Sequence, residues 1–101
     1  MGLNIKFIEE NAIDFLSKNL GISKNEILRE GLVAFLEKKL KEIKLETFEI
    51  KSKYNVNSIS EFDELYRKGF IEEKDSWKDY QKLDHLEFKK EQIEKLLQEI
   101  K

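Results

Sequence analysis

No cysteine occurs in this chain, so disulfides, thiolate metal sites and thiol nucleophiles are excluded together. Proline is absent as well, and the four glycines stand singly at positions 2, 21, 31 and 69, which leaves no glycine-rich loop to cradle a phosphate. The one histidine, His85, has Gln81, Lys82, Phe88 and Lys89 as its helical neighbours, so no carboxylate or second histidine stands at the spacing a metal site or an oriented base requires. No apolar run approaches the roughly 20 residues that cross a bilayer, and the N-terminus lacks a signal-peptide pattern. The expectation is a soluble, cytoplasmic protein that needs no cofactor, holds no metal and is not an enzyme.

What the chain does contain is charge and apolar residues in equal measure, 40% of each. In 101 residues that apolar share supports only a modest core, so association is an expected source of stability. The charges are unevenly placed: residues 1 to 44 carry eight Lys/Arg against seven Asp/Glu, whereas Glu61 to Glu87 carries nine acids against five bases. Nucleic acid, if bound, should meet the N-terminal half, and the acidic stretch suits another partner.

Periodicity divides the chain into a short strand and four helices. Leu3, Ile5 and Phe7 alternate with Asn4 and Lys6, the period of a short strand with one buried face. From about Glu9 to Leu20 the residues Ala12, Ile13, Leu16 and Leu20 recur at helical spacing, with Phe15 widening the stripe and Gly21 standing where a helix C-terminus expects it. Ser23 and Glu26 form a capping box that opens a second helix. Its apolar face comprises Ile27, Leu28, Gly31, Leu32, Phe35, Leu36, Leu40 and Ile43, and reads mainly as core. Phe48 and Ile50 would also alternate on a strand, but the helix is expected to run to about Lys53. A break at Asn55 to Ser58 precedes a short helix, capped by Ser58 and Glu61, that ends at Gly69. A connector leads to a last helix from about Trp77 to Ile100, in which Leu86, Ile93 and Ile100 at seven-residue spacing trace a short seam used in packing helices together.

A strand, a helix, a glycine turn and a second helix that begins Gly21-Ile22-Ser23-Lys24-Asn25-Glu26-Ile27-Leu28-Arg29-Glu30-Gly31-Leu32 together resemble the ribbon-helix-helix family of DNA-binding proteins, over about residues 2 to 43. The resemblance implies a mainly α fold: a homodimer whose short N-terminal β-strands pair into a ribbon, with a helical C-terminal extension. The domain would span residues 1–45 and the extension 46–101. Dimerisation also follows from the strand itself, since a lone five-residue strand leaves its backbone groups unpaired. By the family pattern Gly2, Asn4 and Lys6 would occupy the face that reads double-stranded DNA in the major groove. Ser23, Lys24 and Asn25, at a helix start, would hold a phosphate. The strand-to-helix segment departs from that pattern: it lacks a proline and offers one lysine where two or more basic residues are common.

Residues 53 to 87 resemble the tail of archaeal-type antitoxins, which implies a toxin as protein partner. Tyr54, Phe62, Tyr66, Phe70, Trp77 and Tyr80 lie there among acids, and such aromatics either anchor a basic partner or pack back onto the second helix. The functional expectation is therefore an antitoxin-type transcriptional repressor. The alternative from another class is a helical protein-interaction or assembly module that binds no nucleic acid.

Overall fold

The computed structural model describes residues 5–101, and their side chains from residue 11 onward. Four helices follow in order: α1 (Ile5–Leu20), α2 (Lys24–Tyr54), α3 (Ile59–Arg67) and α4 (Glu73–Ile100). The described residues contain no strand. This corrects the ribbon-helix-helix expectation: Ile5, Lys6 and Phe7 belong to the first turns of α1, while Gly2, Leu3 and Asn4 lie outside the described residues. The reason lies in the backbone. A five-residue strand with nothing in its own chain to pair with leaves its N–H and C=O groups open, whereas a helix satisfies them internally. The spacing Ile5, Ile8, Ala12, Leu16 continues the helical register upstream, so three alternating residues competed with a longer period and lost.

Local chemistry sets the other boundaries. Gly21 takes a positive φ of 67° and its N–H bonds to the Ser17 carbonyl at 3.1 Å, closing α1. Ser23 caps α2, its hydroxyl accepting from the Glu26 N–H at 3.1 Å. At the far end Asn55 stands in the left-handed region and the Val56 N–H reaches the Lys51 carbonyl at 2.9 Å, the wrapped C-terminal motif that asparagine tolerates next best to glycine. Ser58 caps α3 by accepting from the Glu61 N–H at 3.2 Å, and the Glu61 carboxylate reaches back to accept from the N–H of Asn57, the residue before the cap. Helix α4 begins at Glu73, four residues before the expected Trp77. Glu73 and Asp75 in its first turn favour the positive end of the helix dipole, and the Ser76 hydroxyl bonds back to the Glu72 carbonyl at 2.8 Å.

The stem of the molecule is the antiparallel pair α2 and α4. Ion pairs mark its register: Lys53 with Asp79 at 2.8 Å, Lys51 with Glu87 at 2.9 Å and Lys101 with Glu37 at 2.7 Å. Lys53, Lys101 and Glu37 are exposed and Lys51, Asp79 and Glu87 partly so, and solvent-screened pairs of this kind contribute little each. Stability comes instead from Ile43, Ile50, Val56, Phe62, Leu83 and Leu86, which form one buried cluster where α3 folds into the open end of the hairpin. Leu36 and Leu97 are buried farther along the stem, and Thr47 is buried with its hydroxyl unpartnered.

The Lys101–Glu37 pair sets the C-terminal end of α4 beside the middle of α2, and the first third of α2 lies beyond that contact. That projecting segment has α1 as its neighbour, joined by the Lys24–Asp14 ion pair. The result is an elongated molecule, 62 × 36 × 16 Å, with a radius of gyration of 20.2 Å, against about 13 Å for a compact domain of this length.

Candidate functional site

The residues expected to meet a partner in the tail separate into two groups. Tyr54, Phe62, Tyr66 and Tyr80 form a single aromatic cluster, with ring centroids of Tyr54, Tyr66 and Tyr80 at 4.6, 5.5 and 5.3 Å from Phe62. Phe62 is fully buried at its centre. For these four the packing alternative holds, because edge-on and tilted rings fill the space between α2, α3 and α4. Phe70 and Trp77 remain outside: Phe70 is exposed, and Trp77 stacks on Tyr80 at 5.5 Å with its other side open.

The hydroxyls of the cluster are held by polar partners. Tyr54 donates to Asp79 at 2.5 Å, and Lys53 donates to the same carboxylate oxygen at 2.8 Å. The Tyr66 and Ser76 hydroxyls share a 2.7 Å hydrogen bond. Hydrogen bonds from Lys53 and Tyr54 hold the Asp79 carboxyl below its ordinary range. The bond to Asp79 raises Lys53, whereas burial, followed by the Asp79 bond, raises Tyr54. Tyr80 is raised by its bond to Asp63 and then by burial. These are structural couplings of α4 to α2 and α3, and they give a pH dependence. A carboxyl lowered in the folded state stabilises above its unfolded pKa of about 4, and that contribution is lost as pH falls through the folded value. The raised Lys53 and Tyr54 contribute below about pH 10 and lose that contribution as pH rises through their folded values. In thermal melts followed by circular dichroism, Asp79→Asn is expected to melt below the parent at neutral pH, with the gap closing below about pH 4. A gap that persists unchanged into acid would assign the loss to packing.

Of the residues expected to meet DNA, Gly2 and Asn4 lie outside the described residues. Lys6 is part of a helix rather than a strand. Ser23 is engaged in capping, and Lys24 in its ion pair with Asp14. Asn25 is exposed in the first turn of α2. Of the lysines farther along, Lys39 pairs with Glu42 at 3.3 Å. Among the described residues no group of acidic or histidine side chains is placed to hold a metal. Hollows in the surface are shallow; one lies along α4 alone, between Phe88 and Glu99, where no second element supplies converging groups.

The most conspicuous surface is one that sequence reading assigned to the core. On α2, Leu28, Leu32 and Phe35 follow one another at i, i+4 and i+7 and are 54, 45 and 55% exposed. On α1, Leu16 and Leu20 are exposed on the face they share with the half-buried Ile13, and Phe15 is exposed beside them. Ile13 and Leu28 line a hollow between the two helices, with Lys24 and Asp14 at its edge. The periodicity of this stripe was visible from the sequence. What was not visible is that α4 stops short of it.

Fold and surface together define an elongated all-α protein: a two-helix stem locked by a small aromatic core, carrying an open apolar head. The chain belongs to the uncharacterized protein MJ0235 family, which it matches over residues 6–101. No curated protein and no solved structure matches it. Of membrane insertion the described helices give no sign, none being long and apolar enough to cross a bilayer.

Proposed function

We propose that this chain is a non-catalytic helical protein-interaction module, in which the α2–α4 stem is a rigid arm and the α1–α2 head is the surface that docks on protein. One observation carries the reading: six large apolar side chains, Phe15, Leu16, Leu20, Leu28, Leu32 and Phe35, lie open on two adjoining helices that no other part of the chain covers among the described residues. Contiguous apolar surface of this kind marks a protein contact. The repressor reading has less support. It rested on a β-ribbon that residues 5 to 7 do not form, and the net charge of −2 supplies no broad basic face for a phosphate backbone.

The test replaces Phe35 with a photoreactive benzoylphenylalanine in the producing cells, with Lys41, exposed on another side of α2, as control. A protein adduct at position 35 and none at 41 is the expected result. It is paired with fluorescence anisotropy of the purified chain on duplex DNA at low salt, where no binding is expected. Salt-sensitive binding to the duplex without an adduct at position 35 would overturn the reading and return the chain to the nucleic-acid class.

A further inference from the structure

The head lacks an occupant, and three observations converge on one. The first is area. The chain exposes 8187 Å², whereas a compact monomer of its mass exposes about 6,000 Å². The surplus of about 2,000 Å² exceeds the roughly 800 Å² that each partner buries in a standard interface. With only eight apolar side chains buried among the described residues, the core is small for such a length of helix, and a further buried layer would complete it.

The second observation is Gly31. It lies inside α2, one turn from Leu28 and from Phe35, on the open face. Glycine in a helix interior is less favourable than alanine because it has more backbone freedom to lose. Nothing among the described residues accounts for its presence: its φ is not in the left-handed region, and a Cβ built on it meets none of their atoms within 4 Å. Glycine in the midst of an exposed apolar stripe allows another helix to approach the backbone closely, and no helix of this chain does so there.

Charge supplies the third. Residues 11 to 40 carry four acids (Asp14, Glu26, Glu30, Glu37) and five bases (Lys18, Lys24, Arg29, Lys38, Lys39). A head so nearly balanced selects neither a strongly acidic nor a strongly basic partner, and it does not repel a copy of itself. The other exposed apolar side chains are less suited to a copy. Leu45 and Phe48 are an isolated pair on another side of α2, and Trp77 with Phe88 lies close to the acids Glu73 and Asp84.

We propose that the head seats a second copy of this chain, the two α2 helices crossing at Gly31 on a two-fold axis so that two α1–α2 hairpins close into a four-helix head with the stems pointing outward. The inference rests on the interaction-module reading and specifies its partner. A two-fold contact is self-complementary: each Gly31 notch faces the other, and Leu28, Leu32 and Phe35 of one copy meet the same residues of its mate. Close approach at glycine with large apolar side chains on either side is a stable way to cross two helices.

The absence of cysteine allows a direct test on the full chain. In Gly31→Cys the two thiols would lie near the axis, within the 7 Å Cα separation that a disulfide spans. Mild oxidation should therefore convert it to a covalent dimer, while Lys41→Cys should remain uncrosslinked. Sedimentation equilibrium over a range of concentrations gives the second measurement. The parent chain is expected to dimerise, and Gly31→Leu to weaken the dimer by about tenfold or more, since a hot-spot clash at an interface centre has effects of that order. Leucine at an exposed helix position is a better helix former than glycine, so helicity by circular dichroism should hold or rise, which separates lost association from lost folding. A parent chain that stays monomeric, or a dimer equally strong in Gly31→Leu and uncrosslinked in Gly31→Cys, overturns the proposal. A monomeric chain that nevertheless gives a protein adduct at position 35 removes the second copy while leaving the interaction module in place. Absence of both the dimer and the adduct removes both.

Discussion

Phe62→Ala is expected to lose about 3–5 kcal/mol of folding stability, the range measured when a fully buried phenylalanine is truncated. Phe62 is 0% exposed and touches the rings of Tyr54, Tyr66 and Tyr80, so the substitution empties the point where α2, α3 and α4 meet. Those rings cannot collapse freely into the void. Tyr54 is tied to Asp79 and Tyr66 to Ser76, and relaxing toward the cavity would break hydrogen bonds that now satisfy partly buried hydroxyls. The cost therefore falls toward the upper part of the range. Against a total stability of about 5–15 kcal/mol for a small domain, it removes a third or more. Chemical denaturation followed by circular dichroism measures it, and near-ultraviolet ellipticity from the tyrosines and Trp77 should weaken with the loss of the ring cluster. Phe62→Leu keeps most of the volume and should lose far less, about 1–1.5 kcal/mol. Equal losses in the two variants would place the importance of Phe62 in its ring contacts rather than in the space it fills.

Leu28→Glu combined with Phe35→Glu is expected to have the opposite profile. Both side chains are more than half exposed, so the carboxylates remain in water and the melting of the stem should stay within about 0.5 kcal/mol of the parent in the monomeric state. Association should respond strongly. The two-fold dimer carries each substitution twice, so four uncompensated carboxylates enter an apolar contact and four apolar anchors are lost, at about 2 kcal/mol or more per residue at the centre of an interface. Together these predict a dissociation constant more than about a thousandfold weaker, which sedimentation equilibrium would register as a monomer at every accessible concentration. If the double variant also lost the cooperative melt of the stem, the two residues would be holding α1 on α2 within one chain, and the head would be structural.

The two experiments address different ends of one helix. Helix α2 is about 46 Å long at the usual rise per residue. Over its C-terminal part, from Leu36 through Ile43 and Thr47 to Ile50, it buries a face in the stem. Over its N-terminal third the apolar stripe continues as Leu28, Leu32 and Phe35, but the side chains stay open. A sequence reads these two stretches alike. Periodicity reports which residues share a face of a helix, and says nothing about whether another element lies against that face.

The same limit accounts for the error at the N-terminus. Leu3, Ile5 and Phe7 alternate as a strand would, and a glycine turn followed by a capped helix completed the likeness to a ribbon-helix-helix protein. Both serine N-caps and the glycine turn were legible because they depend on residues a few positions apart. Helix α2 ends one residue beyond the expected Lys53, since Asn55 supplies the left-handed residue that stops it. A strand, by contrast, is defined by its partner, and its pattern over five residues is weaker evidence than the helical spacing of Ile5, Ile8, Ala12 and Leu16.

Local sequence thus determined where helices begin and end, the lack of cysteine chemistry and of a phosphate loop, and which residues are apolar enough to need burial. Tertiary structure alone decided which of them are buried. It turned Tyr54, Phe62, Tyr66 and Tyr80 inward while leaving Phe70 and Trp77 out, bound Asp79 to Lys53 and Tyr54 from 26 and 25 residues away, and set Lys101 beside Glu37. The physical reason is one of range. Caps and turns are settled by hydrogen bonds within one turn of chain, but burial depends on which distant helix lies against a face, and the buried residues of α2 begin only at Leu36.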